Sequence, residues 1–317
     1  MVFVEGNHPN RRPVDREDLI GELFLPVTPP QGPLPAVLVL HGSEGGEGFL
    51  YKESARALAG EGYAALALAY FGTEGLPQGL EQIPLEYFEE GLRWLQGQPE
   101  VDAERIGVVG RSKGGELALL LGATYPEHVT AVVGYVPSGV AWQSIPSGPA
   151  SMREGPKPSW TLGAEPVPFV PFKPTPSVMA AIERFFSGGP TSLTILHESA
   201  LEDEAAVERA EIAVERINGP LLLISGTDDR LWPSTRLSEI AMERLRRYEH
   251  PFPHPHEHLI YEGAGHLIGT PSTDETRFVR ESGPFVLGGS TETNRAASAD
   301  SWPRVLATLR RGLGGVA

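Results

Sequence analysis

The stretch ERIGVVGRSKGGELALLL, residues 104–121, constrains this chain more than any other. Its apolar run at 106–109 has the length and composition of a buried strand. A long run of helix formers follows at once. Ser112 stands at the junction, with Gly110 two residues before it and Gly114 two residues after. A strand that passes into a helix through Gly-x-Ser-x-Gly turns sharply and lifts the serine oxygen above the sheet edge. Side chains two residues to either side would collide in such a turn, so both places call for glycine. Ser112 would also sit at a helix N-terminus, where free N–H groups favour a developing negative charge. A tight turn without chemistry carries the same five letters, so the rest of the chain has to decide.

The remaining sequence alternates apolar β-type runs with helical periodicity, which predicts a mostly parallel sheet with helices on both faces. LIGELFLP (19–26) reads as an early antiparallel strand. PAVLVL (35–40) and YAALALAY (63–70) read as buried strands joined by a helix over ESARALAGEG. Pro84 suits the first position of a helix whose Leu85, Phe88, Leu92 and Leu95 share one face. KGGELALLLGA after Ser112 is apolar nearly all round and predicts a buried helix. VTAVVGYVP (129–137), PLLLIS (220–225) and HLIYE (258–262) are further strands, and a helix is expected around 235–247. The last helix is expected to open at SWPRVLATLRRGLGG, with Trp302, Val305, Leu306 and Leu309 inward and Gly312 as its stop. Between about 138 and 200 the pattern breaks down into Pro, Gly, Ser and aromatics. An irregular insertion of that length reads as a cap or binding loop. One domain spanning 1–317 is expected, with 1–34 as an N-terminal strand and loop segment.

A serine at its free pKa is a poor nucleophile, so a base and an acid that orients it must follow. With a strand–elbow–helix nucleophile their chain order is Ser, Asp/Glu, His. The loop GTDDRLWPS after PLLLIS offers Asp229, with Asp228 as the alternative. The loop GAGH after HLIYE offers His266. His41, at the end of VLHG, suits a brace for its loop better than a base. His250, His254, His256 and His258 form a Pro-broken cluster that reads as a polar edge rather than a metal site. A tetrahedral intermediate needs two backbone donors. The Lys113 amide is one. Ser43 in HGSEGG (41–46) is the other, with Glu44 as its alternative.

Composition narrows the chemistry. The chain has no cysteine, which removes disulfides, thiolate metal sites and cysteine nucleophiles. Its formal charge of −15 opposes nucleic acid and anionic membrane surfaces as partners. The polar start and the lack of a membrane-length apolar run lead to the expectation of a cytoplasmic enzyme. No metal or organic cofactor is called for, and oligomeric state is not legible.

Several motifs resemble the catalytic domain shared by acyl-CoA thioesterases and bile-acid-CoA:amino-acid N-acyltransferases, a branch of the α/β-hydrolases. LEYFEEGLRWLQGQPEV resembles the helix ahead of that family's nucleophile strand, and GRSKGGELAL its elbow. LLLISGTDDRLWPS resembles its acid loop, EGAGHLI its histidine loop, and LGGSTETNRAASADSWPRVLATL its closing segment. The resemblance runs from about residue 35 to the C-terminus and is weakest over 138–215. It implies an α/β-hydrolase fold with Ser112 as nucleophile, His266 as base and Asp229 as its orienter. Transferase members tend to carry cysteine as nucleophile, so serine here implies hydrolysis. Family thioesterases usually begin with a β-sandwich domain that helps wall the pocket, whereas about 34 residues precede the core here.

The substrate expected is a small-molecule acyl thioester, foremost acyl-CoA, with a small carboxylic ester as the alternative. A non-catalytic binding protein on the same fold is the reading from another class. A CoA enzyme needs a cationic rim, for which Arg111, Lys113, Arg153, Lys157 and Lys173 are the candidates. Trp142, Trp160, Phe169 and Phe172 are placed either to line an acyl pocket or to pack the cap onto the domain.

Overall fold

A computed structural model describes residues 10–28, 32–145, 155–248, 256–272, 281–282 and 284–315. The first strands are β1 (Asn10–Pro13), β2 (Ile20–Leu25), β3 (Leu34–Leu40) and β4 (Ala64–Ala69), with helix α1 (Leu50–Gly60) between the last two. A short β5 (Ile83–Pro84) leads into α2 (Leu85–Gln96), β6 (Val101–Arg111), α3 (Lys113–Thr124) and β7 (Ala131–Tyr135). An excursion follows with β8 (Trp160–Leu162), β9 (Glu165–Pro166), α4 (Pro176–Phe186), α5 (Thr194–Ala200) and α6 (Glu204–Ala210). The chain then returns through β10 (Leu221–Gly226), α7 (Ser234–Arg247), β11 (Glu257–Tyr261), a small β12–β13 pair (Glu281–Ser282, Phe285–Val286) and α8 (Thr291–Leu313).

Eight strands form one sheet in the order β1-β2-β4-β3-β6-β7-β10-β11. β1 and β2 are antiparallel to their neighbours and the rest are parallel. This is the α/β-hydrolase fold. β3 shows why a continuous apolar run is needed. Leu34, Ala36, Leu38 and Leu40 pack on the face covered by α2 and α3, while Val37 and Val39 pack on the face covered by α1 and α8. Helix α3 is buried along residues 113–123, as its all-round apolar sequence requires.

Three local readings change. Pro84 is the extended residue before α2, which starts at Leu85. The segment 138–200 is not wholly irregular, because α4 and α5 lie within it. Thr175 caps α4 by accepting the Val178 amide, with Pro176 at the first helical position. The last helix begins ten residues before Ser301, at Thr291, where Ser290 and Thr293 form a reciprocal cap, and Pro303 lies inside it. Gly312 is not its stop. A Cβ there would lie 2.2 Å from the Thr130 carbonyl oxygen, so glycine lets the helix press against the start of β7.

Among the described residues no helix is long and apolar enough to cross a membrane.

Candidate active site

The loops after β3, β6, β10 and β11 leave the carboxyl ends of parallel strands, where open α/β sheets gather their sites. Ser112 sits between β6 and α3 with φ 58° and ψ −123°, a strained backbone for a residue with a side chain. The flanking glycines are obligatory. A Cβ on Gly110 would lie 1.9 Å from the Gly114 carbonyl oxygen, and one on Gly114 would lie 2.3 Å from that of His41.

His266 Nε2 lies 2.9 Å from Ser112 Oγ. Its Nδ1 donates to Asp229, 2.9 Å from Oδ2 and 3.0 Å from Oδ1. With Nδ1 carrying the hydrogen, Nε2 is left to accept from the serine hydroxyl. Asp229 Oδ1 also accepts the amides of Leu231 and Trp232, which fix the carboxylate. All three residues are buried, at 3%, 6% and 3% exposure for Ser112, Asp229 and His266. Asp228 is engaged elsewhere, pairing with Arg230 at 2.6 Å and accepting the Gly289 amide.

Two further groups shape the site, and neither stands out in the sequence. Asn294, fully buried on the first turn of α8, accepts the Gly265 amide at 2.6 Å and so holds the histidine loop. Tyr70 holds the loop after β3. Its ring stacks on His41 at 3.9 Å, and its hydroxyl donates to the His41 carbonyl at 2.7 Å. His41 accepts the Tyr70 amide at Nε2 and contacts the Gly42 carbonyl through Nδ1, so its ring is a neutral brace. Burial pushes its pKa down to about 4, against the opposing pull of that carbonyl.

Among the described residues, no backbone carbonyl takes the amide of Ser43, Glu44 or Lys113. Gly42 brings the loop against Ser112, since a Cβ on it would lie 3.2 Å from Ser112 Cβ. Arg111 bridges the two loops, donating to the His266 carbonyl at 3.3 Å and pairing with Glu44 at 3.4 Å. Burial pushes the Glu44 carboxyl up, but Arg111 and nearby backbone N–H groups, its own included, outweigh this and hold it below its usual range.

The candidate cations divide. Lys113 is not on the rim: its ammonium is buried against Glu116. Lys157 pairs with Glu81 at 3.2 Å, Lys173 is half-buried, and Arg153 lies outside the described residues. Trp142 and Trp160 are each 1% exposed, with their indole N–H groups bound to Ser138 Oγ and Glu116, and so act as packing in this structure. Phe172 is half-buried and stacks on Trp142, and Phe169 packs against the core. His258 bonds Ser225 and faces Glu239, and His256 accepts the Leu221 amide. His250 and His254 lie outside the described residues.

Comparison with known proteins adds three findings. The family described as BAAT / Acyl-CoA thioester hydrolase C terminal matches residues 83–315. Acyl-coenzyme A thioesterase 6 of Mus musculus is 31% identical over 309 residues, and acyl-coenzyme A amino acid N-acyltransferase 1 of the same species is 31% identical over 296. The alignments take in 96% and 92% of this chain but only 66% and 63% of those proteins, so the chain spans just under two thirds of their length. A dienelactone hydrolase-like promiscuous phosphotriesterase from metagenomic libraries superposes with a TM-score of 0.59 at 19% identity, covering 97% of this chain and all of the other. That likeness concerns the fold.

Proposed function

Because the chain belongs to the BAAT / acyl-CoA thioester hydrolase C-terminal family, we propose that it is a serine hydrolase that cleaves an acyl thioester, foremost acyl-CoA, to the free acid and the thiol. The observation that carries the reading is the 2.9 Å contact between Ser112 Oγ and His266 Nε2, with Asp229 behind the imidazole. His266 takes the serine proton as Oγ attacks the thioester carbonyl. The tetrahedral oxyanion is held by the amides of Lys113 and Ser43. Glu44 is the poorer donor because its amide serves its own carboxylate. Collapse expels the thiolate, which takes the proton from His266 and leaves acyl-Ser112. Water then gives its proton to His266 as it attacks the acyl carbon, and His266 passes a proton to Ser112 Oγ as the acyl–oxygen bond breaks and the acid leaves. Asp229 fixes the tautomer and stabilises the imidazolium throughout. The described parts of this excursion, 138–145 and 155–200, serve as the cap over this centre.

A second reading, a carboxylesterase acting on small uncharged esters, is favoured by one observation. Arg111, Lys113 and Lys157 all pair with carboxylates of this chain, which leaves them poorly placed to meet CoA phosphates. The test is kcat/KM on acyl-CoAs of rising chain length and on matching p-nitrophenyl esters, with Ser112→Ala as blank. Preference for acyl-CoA supports the first reading, and ester turnover without acyl-CoA turnover the second. Activity surviving in Ser112→Ala removes both.

A further inference from the structure

Helix α3 carries two formal charges on its first turn, although residues 113–123 are all buried. The Lys113 ammonium donates to the two carboxylate oxygens of Glu116 at 2.7 and 2.8 Å, and lies 3.0 Å from Ser159 Oγ. Glu116 Oε1 also accepts the Trp160 indole N–H at 2.8 Å and the Trp142 amide at 3.3 Å. Ser159 Oγ passes its own hydrogen to the Trp142 carbonyl at 2.9 Å. The two charged side chains are 5% and 0% exposed.

Stability alone does not account for this pair. Well-packed apolar side chains in place of a buried ion pair are commonly neutral or stabilising. A cation on a first helical turn also opposes the helix dipole. Burial pulls the Lys113 ammonium down and pushes the Glu116 carboxyl up, each opposed by the charge of the other. What the pair supplies is position. It ties the first turn of α3 to two stretches of the excursion, around Trp142 and around Ser159 and Trp160. The amide of Lys113 belongs to that same turn and immediately follows Ser112.

We propose that the Lys113–Glu116 pair is a positioning clamp for the oxyanion site. It fixes the Lys113 amide against the excursion and cancels a carboxylate charge that would repel the oxyanion. Neither side chain meets the reacting atoms. The proposal rests on Ser112 being the nucleophile.

The experiment compares wild type with Lys113→Met, Lys113→Met/Glu116→Gln and Trp160→Phe. Rates are expressed per serine titrated with a fluorophosphonate, so misfolded protein drops out. Lys113→Met leaves the Glu116 carboxyl without its counter-charge, and kcat per site should fall about 10- to 100-fold with KM nearly unchanged. The double variant should recover most of that loss, since a Gln oxygen still accepts from Trp160 and Trp142. Trp160→Phe removes one donor and should lower kcat per site several-fold even if Lys113→Met does not fold. Per-site kcat values equal to wild type in Trp160→Phe and in whichever Lys113 variants fold would overturn the clamp. A double variant no better than Lys113→Met would overturn its electrostatic half. Failure of the wild type to react with the fluorophosphonate strikes the nucleophile assignment instead, which keeps the two readings apart.

Discussion

Gly114 and His41 are held so close that a single methyl group on the glycine would lie 2.3 Å from the histidine's carbonyl oxygen. The Ser112 turn and the loop after β3 are thereby locked backbone to backbone, and Tyr70 holds His41 through its hydroxyl on that same carbonyl and its amide on the ring. Gly114→Ala should therefore destabilise the protein by about 3 kcal/mol, because neither backbone can yield without moving a strand. Gly60→Ala, at the end of α1 with nothing within 4 Å, should instead be neutral or gain up to about 1 kcal/mol. Urea unfolding of the two variants checks the contrast, and equal effects would mean the close approach is relieved at little cost.

Two adjacent aspartates give the sharpest test of the triad. Asp229 faces His266, while Asp228 faces Arg230 and the Gly289 amide. Asp229→Asn should lower kcat on the order of a thousand-fold or more by favouring the wrong imidazole tautomer. Asp228→Asn should leave kcat within a few-fold and act on stability. Steady-state kinetics of both, with circular dichroism as the folding control, decides; the reverse ranking would reassign the acid.

Much of this was legible because the physics left few options. A run such as PAVLVL, apolar on both faces, fits a sheet covered on both sides, and β3 is such a strand. That Ser112, Asp229 and His266 come together was legible because each follows a strand in the chain order a nucleophile elbow requires. The start of α8 was missed because TETNRAASAD carries no wide apolar stripe and Pro303 mimics a first-position proline. The Ser290–Thr293 cap was the available signal. The Lys113–Glu116 clamp was hidden for another reason. Lys113 reads from the sequence as a rim cation, and the groups that enclose it and Glu116 come from a stretch without periodicity.

Asn294 was equally hidden, and its removal should be felt at a distance. Asn294→Ala leaves the buried Gly265 amide without its acceptor, which should destabilise the fold by about 1–3 kcal/mol. Gly265 precedes His266, so kcat should fall several-fold while KM stays near wild type. A thermal melt combined with initial-rate kinetics checks both, and a changed KM with unchanged kcat would place Asn294 in substrate binding instead.

Acid should weaken the fold through two neutral buried histidines. Burial pushes His41 down to about 4 and His197 down to about 3, from an ordinary value of 6.5. His197 is enclosed by the rings of Trp142, Phe172 and Trp232. Below pH 6.5 the unfolded chain takes up protons that these folded rings refuse, so stability is full above 6.5 and falls on acidification. Each ring contributes a slope of at most about 1.4 kcal/mol per pH unit, which fades as the pH reaches its folded value. His197→Phe should remove its share. Urea unfolding at several pH values between 4 and 7 should therefore give a shallower acid slope for the variant than for wild type, and parallel slopes would show that His197 protonates without penalty in the folded state.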